Sequence, residues 1–230
     1  MLDFFNRLED TYNVDDIKNQ YISAKPLSHF VIDDFLPKDV FDKLCTDIKN
    51  FPQDKWIVKN LKNSGVRKES RDFTSSPILQ EFTIHLTSHI FVKWLNKITD
   101  CEQIIPDIHH LGAGLSSAPT GSFLGLHTDF NWNDTLKLNR KFNLLFYANE
   151  TWEDHWNGEL EFWNKDKTQC LYSVKPTPNR LLFWEYEQEF VHGFSKPLTC
   201  PEDVERQNLM TVYYTSNATP TSQPHKSEFY

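Results

Sequence analysis

Residues 140–149, Arg140-Lys-Phe-Asn-Leu-Leu-Phe-Tyr-Ala-Asn149, form an apolar and aromatic run too short for a core helix and bounded by a turn residue. A run of that length and composition reads as a buried strand. It is not isolated. From about Ile104 onward, similar runs fall at about 106–112, 122–130, 142–148, 158–163, 169–174, 180–184, 189–193 and 206–215. Turn residues such as Pro119, Asn149, Gly158, Asn164 and Pro178-Asn179 separate them. About eight closely spaced strands without helices between them predict an antiparallel sandwich, barrel or jelly roll and exclude a βαβ repeat.

The first hundred residues carry a different period. Val40, Phe41, Leu44 and Ile48 recur at helical spacing between Pro37 and Pro52. Ser76-Pro77 opens a longer pattern in which Leu79, Phe82, Leu86, Ile90 and Trp94 make one stripe. Ahead of both, His29-Phe-Val-Ile-Asp-Asp-Phe-Leu-Pro37 reads as a short strand leading into a helix start. The expected organisation is a single domain over 1–215, with helical support in 1–103 and the β core in 104–215. Residues 216–230, polar and interrupted by Pro, are expected to form a loose tail.

Composition narrows the function classes. The chain has 230 residues, of which 14% are aromatic and only 7 are Gly, so a packed core is expected rather than disorder. A formal charge of -8 argues against a partner held through phosphates, so no nucleic-acid partner is expected. Mean hydropathy is -0.57, and no apolar run approaches the roughly 20 residues of a bilayer span. No membrane association is therefore expected. The four cysteines, Cys45, Cys101, Cys170 and Cys200, include no Cys-x-x-Cys pair and point to a reducing cytoplasm.

The chemistry gathers around Gly125-Leu-His-Thr-Asp-Phe-Asn131. On a strand, His127 and Asp129 point to one side, so a nitrogen and a carboxylate oxygen converge. Alone the pair carries little, since about 0.7 such patterns are expected by chance in this composition. A second histidine, His192, stands in Glu189-Phe-Val-His-Gly-Phe194, and Arg206 begins the last strand. Two imidazoles and one carboxylate on one face of an octahedral ion leave three positions open, the facial arrangement of non-haem Fe(II) oxygenases. An arginine fork suits capture of a carboxylate.

With these residues in order, the chain resembles the 2-oxoglutarate/Fe(II)-dependent dioxygenases, specifically the prolyl 4-hydroxylase-like group. The resemblance spans about 104–215. It rests on His127-x-Asp129, the run 140–149, Gly158-Glu-Leu-Glu-Phe-Trp163, Pro178-Asn-Arg-Leu-Leu-Phe183, His192-Gly and the Arg206 strand. It implies a mainly β domain with flanking helices, a double-stranded β-helix (jelly-roll) core with the N-terminal helices packed outside. It further implies His127, Asp129 and His192 as catalytic iron ligands, and Arg206 with the Tyr147 hydroxyl as the holders of the 2-oxoglutarate far carboxylate. Fe(II) and 2-oxoglutarate are the implied cofactor and co-substrate, with ascorbate as a candidate auxiliary reductant.

The implied reaction hydroxylates an aliphatic carbon and releases succinate and carbon dioxide. A prolyl residue of a peptide or protein leads as substrate, ahead of free proline or another small molecule. Asp129 in place of a small residue favours hydroxylation over halogenation, and Val212 stands where nucleic-acid-repair relatives carry a second Arg. The upstream Tyr of some relatives is missing, so a serine at 116 or 117, or nothing, plays that part. Two readings of other classes stand beside this one: a non-catalytic metal-binding jelly-roll interaction module, and a zinc hydrolase, which would need a nearby general base and no carboxylate-binding Arg. The five tryptophans between His127 and His192 fit an aromatic groove or core filling, and 130–139 fits a lid or a plain connection.

Overall fold

The computed structural model describes residues 1–216 and 222–230. All strand pairs are antiparallel, and two sheets face each other. The major sheet runs, in spatial order, β1 (His29–Ile32), β11 (Leu181–Glu185), β8 (Leu138–Tyr147), β13 (Arg206–Thr215), β5 (Gly114–Ala118), β3 (Gly65–Ser70) and β2 (Ile57–Leu61). Two short strands, β4 (Ile105–Pro106) and β7 (Trp132–Asn133), pair with β13 and β8. The minor sheet runs β10 (Cys170–Val174), β9 (Leu160–Asn164), β12 (Phe190–Phe194), β6 (Leu124–Thr128) and β14 (Glu228–Phe229). This is a double-stranded β-helix core.

Strand β8 shows how the sequence builds the layers. Its even residues Phe142, Leu144 and Phe146 join a core with Phe82, Phe35, Phe41 and Trp94 from the N-terminal region. Its odd residues Leu145 and Tyr147 join Leu160, Phe162, Leu182 and Trp184 between the two sheets. Strand alternation thus serves two cores at once. The helical half supplies α1 (Leu2–Asn6), α2 (Leu8–Thr11), α3 (Val14–Ser23), α4 (Lys38–Lys49), α5 (Pro77–Leu86) and α6 (His89–Thr99). They cover the outer face of the major sheet.

Several expectations need correction. The stripe from Leu79 to Trp94 is not one helix. Thr87 ends α5, and Ser88 caps α6 by accepting from the Phe91 N–H at 3.3 Å, a capping geometry that starts a new helix. His85 and His89 therefore lie on different helices, with His85 stacked on Phe5 at 4.6 Å. The region 1–103 is not purely helical, since β1 and the β2–β3 hairpin extend the major sheet. The run 106–112 is a strand only at 105–106, because Asp107 accepts the Gly112 N–H at 2.7 Å and closes a turn. Strand β5 lies between the predicted runs 106–112 and 122–130, where no strand was expected. Of the expected tail, 217–221 lie outside the described residues, but 222–230 are not loose: Glu228 and Phe229 pair with Thr128 and His127.

Candidate metal centre and co-substrate pocket

Strands β6 and β12 are neighbours, and their register sets His127 directly opposite His192. The two rings lie 4.5 Å apart. Asp129 follows β6 by one residue, and one donor atom from each of the three side chains falls within 4.8 Å of the others. The register puts His127 and His192 on one side of the minor sheet, and their spacing to Asp129 is what the His-x-Asp pattern on a strand implied.

Each donor is prepared for a cation. His127 Nδ1 lies 3.0 Å from the Gly125 carbonyl oxygen, a contact that places the proton on Nδ1 and frees Nε2. Burial, with His192 beside it, pushes the His127 pKa down to about 4, so the ring is neutral at pH 7. Burial alone would raise Asp129, but the Arg140 guanidinium and the two imidazoles hold it well below the usual carboxylate range. A buried anion and two imidazole rings facing one point match the donor set of a divalent transition metal, and the chemistry of these residues fits Fe(II).

A cavity of about 410 Å³ opens from these residues. Leu145, Leu160, Trp184 and Phe194 line it, and Arg206 lies within it. Arg206 is 4% exposed, and its Nε donates to the Gly158 carbonyl at 2.8 Å. Nη1 donates to Asn208 Oδ1 at 3.0 Å, and Nη2 to the Tyr147 hydroxyl at 3.4 Å. Among the described residues no carboxylate lies within ion-pair distance of it, and burial lowers its pKa. A desolvated guanidinium without an anion is costly, and a ligand carboxylate would remove that cost. The site therefore also fits a dicarboxylic keto acid.

The five residues singled out in the sequence, His127, Asp129, His192, Arg206 and Tyr147, thus border one space or touch its cation. Of the two candidate serines, Ser116 lines the cavity, whereas Ser117 donates to Glu205 Oε2 at 2.5 Å and is taken up there. The lid candidate 130–139 is a hairpin arm in which β7 pairs with β8. The tryptophans do not form a groove: of the five, Trp184 alone lines the cavity, while Trp152 and Trp156 pack edge to face elsewhere. His109 and His110 take no part.

Sequence reasoning missed two residues. Arg140 pairs with Asp129, and Asn208 braces Arg206. Asn208 carried a signal, since it stands two residues after Arg206 on the same strand face. Arg140 gave none beyond a buried cation inside an apolar strand.

Residues 113–215 match the family model described as the 2OG-Fe(II) oxygenase superfamily. That region, which holds the β core and the three donors, is a domain of the 2-oxoglutarate/Fe(II) oxygenase type. Its fold is that of the prolyl 4-hydroxylase-like group. A Pseudomonas putida prolyl-4-hydroxylase superposes with a TM-score of 0.63 at 16% identity, covering 89% of this chain and 100% of its own. A prolyl hydroxylase from Trichoplax adhaerens, solved with a hypoxia inducible factor peptide fragment, gives 0.64 at 15% identity, with 93% and 92% covered. HygX from Streptomyces hygroscopicus, solved with nickel, 2-oxoglutarate and hygromycin B, gives 0.57 at 10% identity, with 88% of each chain covered. No curated protein matches by sequence. This 2-oxoglutarate/Fe(II) oxygenase is a 2-oxoglutarate-dependent dioxygenase, and no described helix is long and apolar enough to cross a membrane.

Proposed function

We propose that this oxygenase hydroxylates an aliphatic carbon of a prolyl residue in a peptide, with His127, Asp129 and His192 as the metal ligands. Arg206 and Tyr147 take the far carboxylate of 2-oxoglutarate. The observation that carries the reading is the buried, carboxylate-free Arg206 in the cavity that the three donors also line. Fe(II) bound with 2-oxoglutarate supplies oxidative decarboxylation coupled to C–H hydroxylation, with release of succinate and carbon dioxide.

The protein's share is positioning and exclusion of water. His127 and His192 offer nitrogen donors, and Asp129 offers charge. Arg206 fixes the co-substrate's orientation by a bidentate-capable fork, with Tyr147 and Asn208 holding that fork in place. Leu145, Leu160, Trp184 and Phe194 keep the surroundings apolar and exclude water from the substrate.

A peptide substrate is supported by the fold shared with the Trichoplax enzyme, whose partner is a peptide. Four unpaired cysteines support a reducing, cytoplasmic setting. The test is spectroscopic. Anaerobic protein with Fe(II) and 2-oxoglutarate should show the weak visible charge-transfer band of a chelated keto acid, and His127→Ala or Asp129→Ala should abolish it. A wild-type protein without the band would sink the reading. Succinate formation that rises on addition of acetyl-Ala-Pro-Gly amide, and not of its Ala-Ala-Gly counterpart, tests the prolyl assignment.

A further inference from the structure

Residues 222–230 are built onto the metal motif. The Asn131 side-chain amide is used at both ends: Nδ2 donates to Ser222 Oγ at 2.7 Å and to the Gln223 carbonyl at 2.9 Å, and Oδ1 accepts the His225 N–H at 2.9 Å. The Phe130 N–H donates to Ser227 Oγ at 3.2 Å. Strand β14 then pairs Glu228 with Thr128 and Phe229 with His127, and the Tyr230 N–H reaches the Leu126 carbonyl at 3.0 Å. The segment runs antiparallel to 126–131, so beyond His225 it passes alongside the donors.

The side chain this ladder delivers is aromatic and stands at the site. The Phe229 ring lies flat on the His127 imidazole, centroids 4.8 Å apart and planes 21° apart. Both Phe229 and Ser227 line the cavity with the segment in place. Phe229 belongs to none of the three apolar clusters of the core and is 37% exposed. A strand that served only to cover the β6 edge would need its backbone ladder and not an aromatic ring facing a cavity. Leu61 and Arg67 of the β2–β3 hairpin line the same cavity. The hairpin's Asn63 carbonyl and the Phe229 ring both close on Gly125, where a Cβ would stand 3.0 Å from the former and 3.7 Å from the latter.

We infer that Phe229 is a substrate-selecting residue: its ring is the apolar wall against which the aliphatic group to be hydroxylated lies. The inference rests on the oxygenase reading of the site. It assigns selection to a segment that sequence composition marks as a tail.

Two measurements decide it. In Phe229→Ala, the KM for acetyl-Ala-Pro-Gly amide should rise on the order of tenfold or more, while the affinity for 2-oxoglutarate, read from the visible band, stays within about threefold. Phe229→Tyr, which keeps the ring, should restore the KM. Equal loss of peptide and 2-oxoglutarate affinity, or an unmoved KM, would overturn the inference. The second measurement needs no turnover. With 4-fluorophenylalanine at 229, binding of Mn(II) with 2-oxoglutarate should broaden the fluorine resonance relative to Zn(II), and it should stay broad when the peptide is added. A resonance that Mn(II) leaves sharp, or that sharpens again on peptide addition, would mean that the ring is not a wall of the loaded site. Absence of the visible band in wild type would instead count against the oxygenase reading, and the fluorine result would still judge Phe229.

Discussion

Arg140 donates from Nη2 to Asp129 Oδ2 at 2.8 Å, with both side chains buried. The same guanidinium donates from Nε to Asn143 Oδ1 at 2.7 Å, which fixes the fork. Asp129 Oδ2 is also 3.4 Å from His192 Nε2, and Oδ1 is 3.8 Å from His127 Nε2. Arg140 is therefore a positioning residue that sets the carboxylate's orientation between the two imidazoles.

Arg140→Met should weaken metal affinity about 10- to 100-fold, the usual effect of losing a partner of a ligating carboxylate. Arg140→Lys should recover part of it, since a point charge replaces the charge but not the fork. Calorimetric titration with Mn(II) in the presence of 2-oxoglutarate reads both. The metal-free Arg140→Met protein should also lose about 3 kcal/mol, because Asp129 is left as an unpaired buried charge. Metal affinity equal to wild type would show that Arg140 is only structural.

Arg206 makes the opposite separation. Arg206→Met keeps much of the volume and removes the cation, so 2-oxoglutarate affinity should fall about 100-fold or more while metal affinity barely changes. Tyr147→Phe removes one hydroxyl at 3.4 Å from Nη2 and should cost only a few-fold. Comparable losses for the two ligands in Arg206→Met would contradict its assigned place.

How much of this was legible beforehand differs by residue. The apolar run at 142–148 marked a buried strand, and the order His127, Asp129, His192 and Arg206 marked the candidate site, because a pleated strand fixes which side chains share a face. The β2–β3 hairpin was not legible, since Ile57, Val58 and Leu61 lie exposed and Lys59, Arg67, Lys68 and Glu69 break the apolar signal. The α5–α6 break was hidden because Ser88 caps a helix without interrupting the apolar stripe. Phe229 was invisible for a different reason. Its ladder partners lie about a hundred residues away, and a two-residue strand has no period to read.

Stability should fall as the medium is acidified. Burial lowers the pKa of His29, His85 and His110, so each imidazole is neutral in the fold yet ordinary in the unfolded chain. The unfolded state then binds more protons below its own pKa of about 6.5. Their stabilising share is complete above that pH and is lost as pH drops toward the folded values. The urea midpoint of metal-free protein should be lower at pH 5.0 than at pH 7.5, by the equivalent of on the order of 1 kcal/mol. His29→Gln should flatten part of the slope. A midpoint constant across the range would remove these groups from the explanation.

Gly193 follows His192 where β12 runs against β6. A Cβ there would stand 2.5 Å from the Leu124 carbonyl oxygen and 2.8 Å from that of Gly125, both backbone atoms that cannot swing aside. Gly193→Ala should therefore force the two strands apart and cost about 2–3 kcal/mol, as overpacking against a rigid neighbour does. The displacement acts on the pair that carries His127 and His192, so metal affinity should fall with stability even though no donor has changed. Gly121→Ala, with nothing within 4 Å of the new carbon, controls for loss of glycine as such, although its φ of +78° carries a strain of its own. Mn(II) affinity retained in Gly193→Ala alongside lowered stability would show that the crossing holds the sheet together without setting the distance between the two histidines.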